Sequence, residues 1–83
     1  MTYYIDTIEQ TKGTEEGSIS EYGKREKSGN SLSKAESAFY TKCANVSNDL
    51  VEDDGKHYYM DIKIVNSRGG IIKKDVIGTY QEG

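Results

Sequence analysis

Seven residues near the middle of the first half have the makings of an anion site: Lys24, Arg25, Lys27, Ser28, Gly29, Asn30 and Ser31. A basic, glycine-containing segment that opens into a helix supplies cations, free backbone N–H groups and the positive end of the helix dipole. Its glycine spacing fits neither the Walker loop nor the dinucleotide fingerprint. The same residues also read as a mobile, solvated connector, and spacing leaves both readings open. Arg25 is the sharpest candidate, because a guanidinium grips phosphate through two parallel hydrogen bonds. The turn at Arg68 and the Lys73–Lys74 pair are the other places where cations come without adjacent neutralisation.

A second constellation lies on strands. Tyr59, Asp61 and Lys63 alternate on one face, and Lys73 and Asp75 are expected beside them from the neighbouring strand. Tyrosine next to lysine can stack a base and hold its phosphate. The same residues also suit a wet sheet face with cross-strand ion pairs, or a subunit interface. These two constellations give the expected ligand residues: Lys24, Arg25, Lys27, Tyr59, Lys63, Arg68 and Lys73.

Other chemistry is harder to build. Aligning Gly55 with the glycine of a calcium loop puts Leu50 at the first ligand position and Asp61 at the twelfth, so the first oxygen is missing and the last is short. His57 and Asp61 share a strand face but stand too far apart to touch, which leaves His57 a structural or surface histidine. Asp53 and Asp54 fall in a loop, where low dielectric cannot tune them. Cys43 lies among apolar helix residues and reads as a small buried hydrophobe. No nucleophile has a base beside it. The expectation is a protein that is not an enzyme and that needs no metal and no cofactor.

The elements that must position these residues follow from periodicity. Leu32, Ala35, Ala38, Phe39, Cys43 and Val46 recur three and four apart between Ser31 and Asn48, which predicts a helix, while Lys34, Ser37, Thr41 and Asn45 fall on its other side. Ser33 with Glu36 has capping-box spacing, and Ser31 competes for the cap. Tyr40 and Ala44 form a second, narrower apolar edge. Thr2 to Gln10 reads as a first strand and Ser18 to Lys24 as a weak edge strand. In Lys56 to Asn66, Tyr58, Met60, Ile62 and Ile64 alternate with Tyr59, Asp61, Lys63 and Val65. A turn at Asn66–Gly70 leads to a last strand, Ile71 to Tyr80, and a fraying tail. The predicted fold is α+β, ββαββ, with one helix packed on a four-stranded, mainly antiparallel sheet, in a single domain spanning 1–83.

Composition sets the remaining bounds. Eighty-three residues, 34 % of them apolar, and a mean hydropathy of −0.79 make a thin core. Seven tyrosines suit half-buried sheets and interfaces. A thin core in a short chain predicts a homo-oligomer, in which a partner covers what the monomer cannot. A net charge of −3 argues against generic nucleic-acid binding. No apolar run has the length of a signal or a membrane span, so the expected location is the cytoplasm.

The chain also resembles a group of short ββαββ proteins from phages and prophages of Firmicutes. Tyr3-Tyr4-Ile5 matches their aromatic first strand, and Ala35, Ala38, Phe39 and Lys42 match their Ala-x-x-Ala-Phe-His-x-Lys helix. Ile64-Val65-Asn66-Ser67-Arg68-Gly69-Gly70-Ile71-Ile72-Lys73 is similar to their final hairpin. Tyr40 stands where the group has histidine, the last strand lacks the group's tryptophan, and the loop before the helix is longer. The resemblance implies evasion of host antiviral defence in the host cytoplasm. It does so either as an oligomeric sponge for a nucleotide immune signal or as an acidic, nucleic-acid-mimicking inhibitor of a host defence protein. Glu15, Glu16, Asp49, Glu52, Asp53 and Asp54 supply the acidic balance for the second.

Overall fold

The computed structural model describes residues 1–82. β1 (Tyr3–Lys12) and β2 (Ile19–Gly29) form a hairpin, and α1 (Leu32–Ser47) follows. A single 3-10 turn (Val51–Asp53) leads to a second hairpin of β3 (His57–Asn66) and β4 (Ile71–Gly78). All strand pairs are antiparallel, in the order β2-β1-β3-β4, so the first strand lies inside the sheet and β2 and β4 are its edges. The chain thus adopts the expected ββαββ, α+β arrangement.

Ser31, in extended conformation, caps α1 by accepting a hydrogen bond from the Lys34 N–H. Ser33 is not the cap, so the apparent capping box with Glu36 is not formed. Ala35, Phe39 and Val46 are buried against Ile5, Met60, Ile62 and Ile64, while Leu32, Cys43, Leu50, Ile77 and Tyr3 close the margins. Tyr58 is only half-buried and Ala38 is exposed, so the apolar stripe is narrower than its spacing suggests. The deepest contacts of α1 are with β3, as expected when the most regular apolar strand offers the best face.

Strand register assigns every side chain to a face, because residues directly opposite point the same way. Beneath the helix run the rows Glu26–Ile5–Ile64–Lys73 and Lys24–Thr7–Ile62–Asp75, and then Tyr22–Glu9–Met60–Ile77. The helix-free face carries Arg25–Asp6–Lys63–Lys74, Gly23–Ile8–Asp61–Val76 and Glu21–Gln10–Tyr59–Gly78.

Two expectations are corrected. The segment Lys24 to Asn30 is not a loop before the helix: β2 continues to Gly29, pairing along the whole of β1. A ten-residue inner strand presents backbone groups that need partners along its length, and an edge strand wet on both faces can meet that need with polar residues. The tail does not simply fray after β4. Gln81 donates its N–H to the Gln10 Oε1 at 2.7 Å and accepts from the Gln10 Nε2 at 3.0 Å, and Tyr80 meets the Tyr59 ring edge-on. The chain end therefore straps one margin of the helix-free face.

Candidate functional site

The expected ligand residues do not converge. Arg25 and Lys27 project from β2 onto the helix-free face, together with Tyr59 and Lys63 from β3. Lys24 points to the opposite face, and Arg68 sits in the β3–β4 turn. Lys73 lies on the helix side rather than beside Lys63, because the register, shifted at Ile64/Val65, sets it opposite Ile64. Asp75 lies on that side too, opposite Ile62.

Nor are three of these cations free. Arg25 grips Asp6 through two hydrogen bonds of 2.6 Å and covers the Tyr4 ring. That guanidinium holds the Asp6 carboxyl below the ordinary carboxylate range. Lys24 lies 2.6 Å from Glu26. Lys73 donates to the Tyr40 hydroxyl at 2.7 Å and stands 3.9 Å from Glu36. The anion site at a helix N-terminus is therefore not formed: its arginine faces the other side of the sheet and is already paired.

A groove does form where the helix leaves β2 uncovered. Ser37, Ala38, Thr41 and Asn45 of α1 make one wall, and Lys24 and Glu26 of β2 make the other. Ile5 and Thr7 make the floor, and Lys34 and Lys42 complete the lining of a cavity of about 490 Å³. That lies within the roughly 300–1,000 Å³ range of small-molecule sites. Thr7 is 7 % exposed, and no buried polar atom is both enclosed and unpaired among the described residues. Its hydroxyl makes no side-chain hydrogen bond among the described residues, so it opens into the groove. Lys34 has no ion-pair partner among the described residues either. Lys42 reaches the Glu9 carboxylate at 3.2 Å.

Glu9 anchors one end of this side. It is 1 % exposed and meets the His57 Nε2 at 3.2 Å, while His57 Nδ1 meets Asp49 at 2.8 Å. An imidazolium donates to both carboxylates, whereas a neutral ring donates to one. His57 bridges Glu9 and Asp49, partners that spacing did not reveal. Its hydrogen bond holds the Asp49 carboxyl below its usual value. Burial and the nearby Glu9 charge push the Tyr22 phenol up, and burial does the same to the Cys43 thiol. Among the described residues no cluster of metal-ligating side chains occurs.

Lys34, Ser37, Thr41 and Asn45 were assigned to the polar side of the helix but not to a site. Their signal is visible in retrospect: polar residues three and four apart, on a helix beside a strand it does not cover. Compared with known protein families, curated proteins and solved structures, the chain matches none. No helix among the described residues is long and apolar enough to cross a membrane.

Proposed function

We propose that this chain is a non-enzymatic binding protein that holds a small, anionic, nucleotide-class ligand in the groove between α1 and β2. The observation that carries this reading is Lys34, which has no ion-pair partner among the described residues, standing with the paired Lys24 and Lys42 around a floor of Ile5 and Thr7. Cations over an apolar floor suit a phosphate joined to a planar body, and the open Thr7 hydroxyl offers the body a hydrogen bond. The helix-free face carries cations too, but it is a sheet surface whose Tyr59 is taken by Tyr80. With the setting implied by the phage resemblance, the ligand is an immune signal of the host, held in the cytoplasm by a homo-oligomer rather than cleaved. A ligand that binds only the folded chain raises its melting temperature. The test is a thermal-shift series with ADP-ribose and with cyclic mono- and dinucleotides, repeated on Lys34→Ala. Loss of one charge-assisted phosphate contact should weaken binding about ten- to a hundredfold. No shift with any of these compounds removes the reading.

One observation favours a second reading, the inhibitor of a host defence protein. The β1–β2 loop and the 3-10 turn lie at the same end of the molecule, because Thr11 pairs with His57 and the Lys12 N–H bonds the Lys56 carbonyl. Glu15, Glu16, Glu52, Asp53 and Asp54 are all exposed there, as an acidic pole toward a basic partner. Capture of a host protein that is lost on replacing these five by Asn and Gln would establish it.

A further inference from the structure

We infer that two copies of this chain pair through their β2 edges, and that the ligand site is a trough shared between them. The inference rests on the groove reading above for its ligand and on β2 itself for its geometry. The groove is walled on one side by a helix and on the other only by the side chains of an edge strand. Every residue from Ile19 to Lys27 is exposed. No register shift interrupts β2 over that span, so nine consecutive residues form an edge without a bulge that no other strand pairs among the described residues. Charged edges usually prevent such pairing. Here the charges complement themselves.

The register can be read from the residues. Centring an antiparallel pair on Gly23 sets Glu21 of each copy opposite Arg25 of the other, twice, and Tyr22 opposite Lys24, twice. Centring it on Lys24 would set that lysine against its own copy, which is destabilising. Arg25 keeps Asp6 on its own chain and gains a second carboxylate, which its five donors can serve, while Glu21 keeps the hydrogen bond it accepts from the Gln10 Nε2 at 2.8 Å and, as a carboxylate, has lone pairs for a further donor. Because Gly23 pairs with itself, the two-fold axis stands perpendicular to the sheet. Both helices then lie on the same side of one eight-stranded sheet and face each other across the two β2 strands.

The consequences for the ligand are specific. Tyr22 and Lys24 share the helix side of the sheet. In the pair, two tyrosines and two lysines stand alternately at the centre of the trough floor, and the two α1 walls bring Lys34, Ser37 and Thr41 from each side. Among the described residues, each groove alone is lined by cations but by no aromatic; the pair supplies aromatics on which a base can stack. A two-fold site of this kind matches a two-fold ligand with two bases and two phosphates. The ligand class is therefore a cyclic dinucleotide, bound once per two chains.

The decisive experiment uses Gly23→Cys in a Cys43→Ser background. A Cβ at Gly23 meets only the Thr7 carbonyl oxygen, at 3.7 Å, so the substitution fits the strand. Directly opposed residues of an antiparallel pair have Cα atoms about 4.5–5.5 Å apart, within disulfide reach. Mild oxidation should give mostly covalent dimer, at least roughly tenfold faster than Val76→Cys on the other edge strand in the same background. Equal rates for the two variants, or no dimer, overturn the pairing. Wild-type chain sedimenting at 9.3 kDa at high micromolar concentration overturns it independently of any variant. Titration with cyclic di-AMP should then give one ligand per two chains, and Tyr22→Ala should weaken it by roughly tenfold or more. One ligand per chain overturns the shared trough while leaving the groove reading intact. Failure of both cyclic di-AMP and AMP to bind a chain that does cross-link overturns the groove reading and leaves the pairing standing.

Discussion

Glu9 is the side chain that most needs its neighbours, since a carboxylate 1 % exposed is stable only with partners. His57 and Lys42 supply them. His57→Ala should cost about 1–3 kcal/mol in chemical denaturation, the scale of a lost hydrogen bond to a charged group. Stability equal to wild type would mean that Lys42 alone suffices. Asp6 gives a pH prediction. Arg25 holds its folded pKa below the unfolded value of about 3.9, so the pair's stabilisation is full above that value and is lost as pH falls through the folded one. Asp49, held down by His57, adds an effect of the same sign. Asp6→Asn should be less stable than wild type near neutrality and lose less on acidification, measured by melts between about pH 6 and pH 2; parallel curves would contradict this. None of these partnerships was legible from residue types. Asp6 and Arg25 lie nineteen residues apart and meet only through the hairpin register. Residue types indicated that Arg25 could bind an anion, and the anion it binds is its own chain's.

The helix and the second hairpin were legible because their apolar residues are frequent enough to show a period. Phe39, 2 % exposed at the middle of the core, is the matching prediction. Phe39→Ala should cost about 3–5 kcal/mol by denaturation, and a loss below about 0.5 kcal/mol would mean that the ring is not central. The end of β2 was not legible, since Lys24 to Lys27 has no apolar residue to mark a face. What makes it a strand is the length of β1 beside it, a property of the neighbour. Two glycines separate the same way. A Cβ at Gly55 would run into the Asp49 backbone, where the helix exit meets β3, whereas one at Gly23 meets only an ordinary contact. Gly55→Ala should therefore lower the melting temperature clearly and Gly23→Ala should barely move it. Equal effects would show that the Asp49 turn can shift to make room.

At the scale of the whole molecule, the described residues form an elongated body with extents of 43 × 21 × 17 Å, with its acidic loops at one end and the Arg68 turn at the other. That polarity was not visible in a net charge of −3, because the formal sum carries no position. The strand order also governs how the body is made. The strand nearest the N-terminus becomes one of the two inner ones, and its second neighbour lies beyond the helix: Tyr3 pairs with Asn66 and Thr11 with His57. Each hairpin can close locally within microseconds, but neither has a core until β1 and β3 meet across that distance. This encounter should limit the rate of folding, because loop closure precedes the contacts that reward it. Ile62, opposite Thr7 at that seam, is fully buried. Ile62→Val should slow refolding, while Ile77→Val, at the outer strand, should mainly hasten unfolding. Chevron plots in which both substitutions act only on the unfolding arm would place the rate-limiting encounter elsewhere.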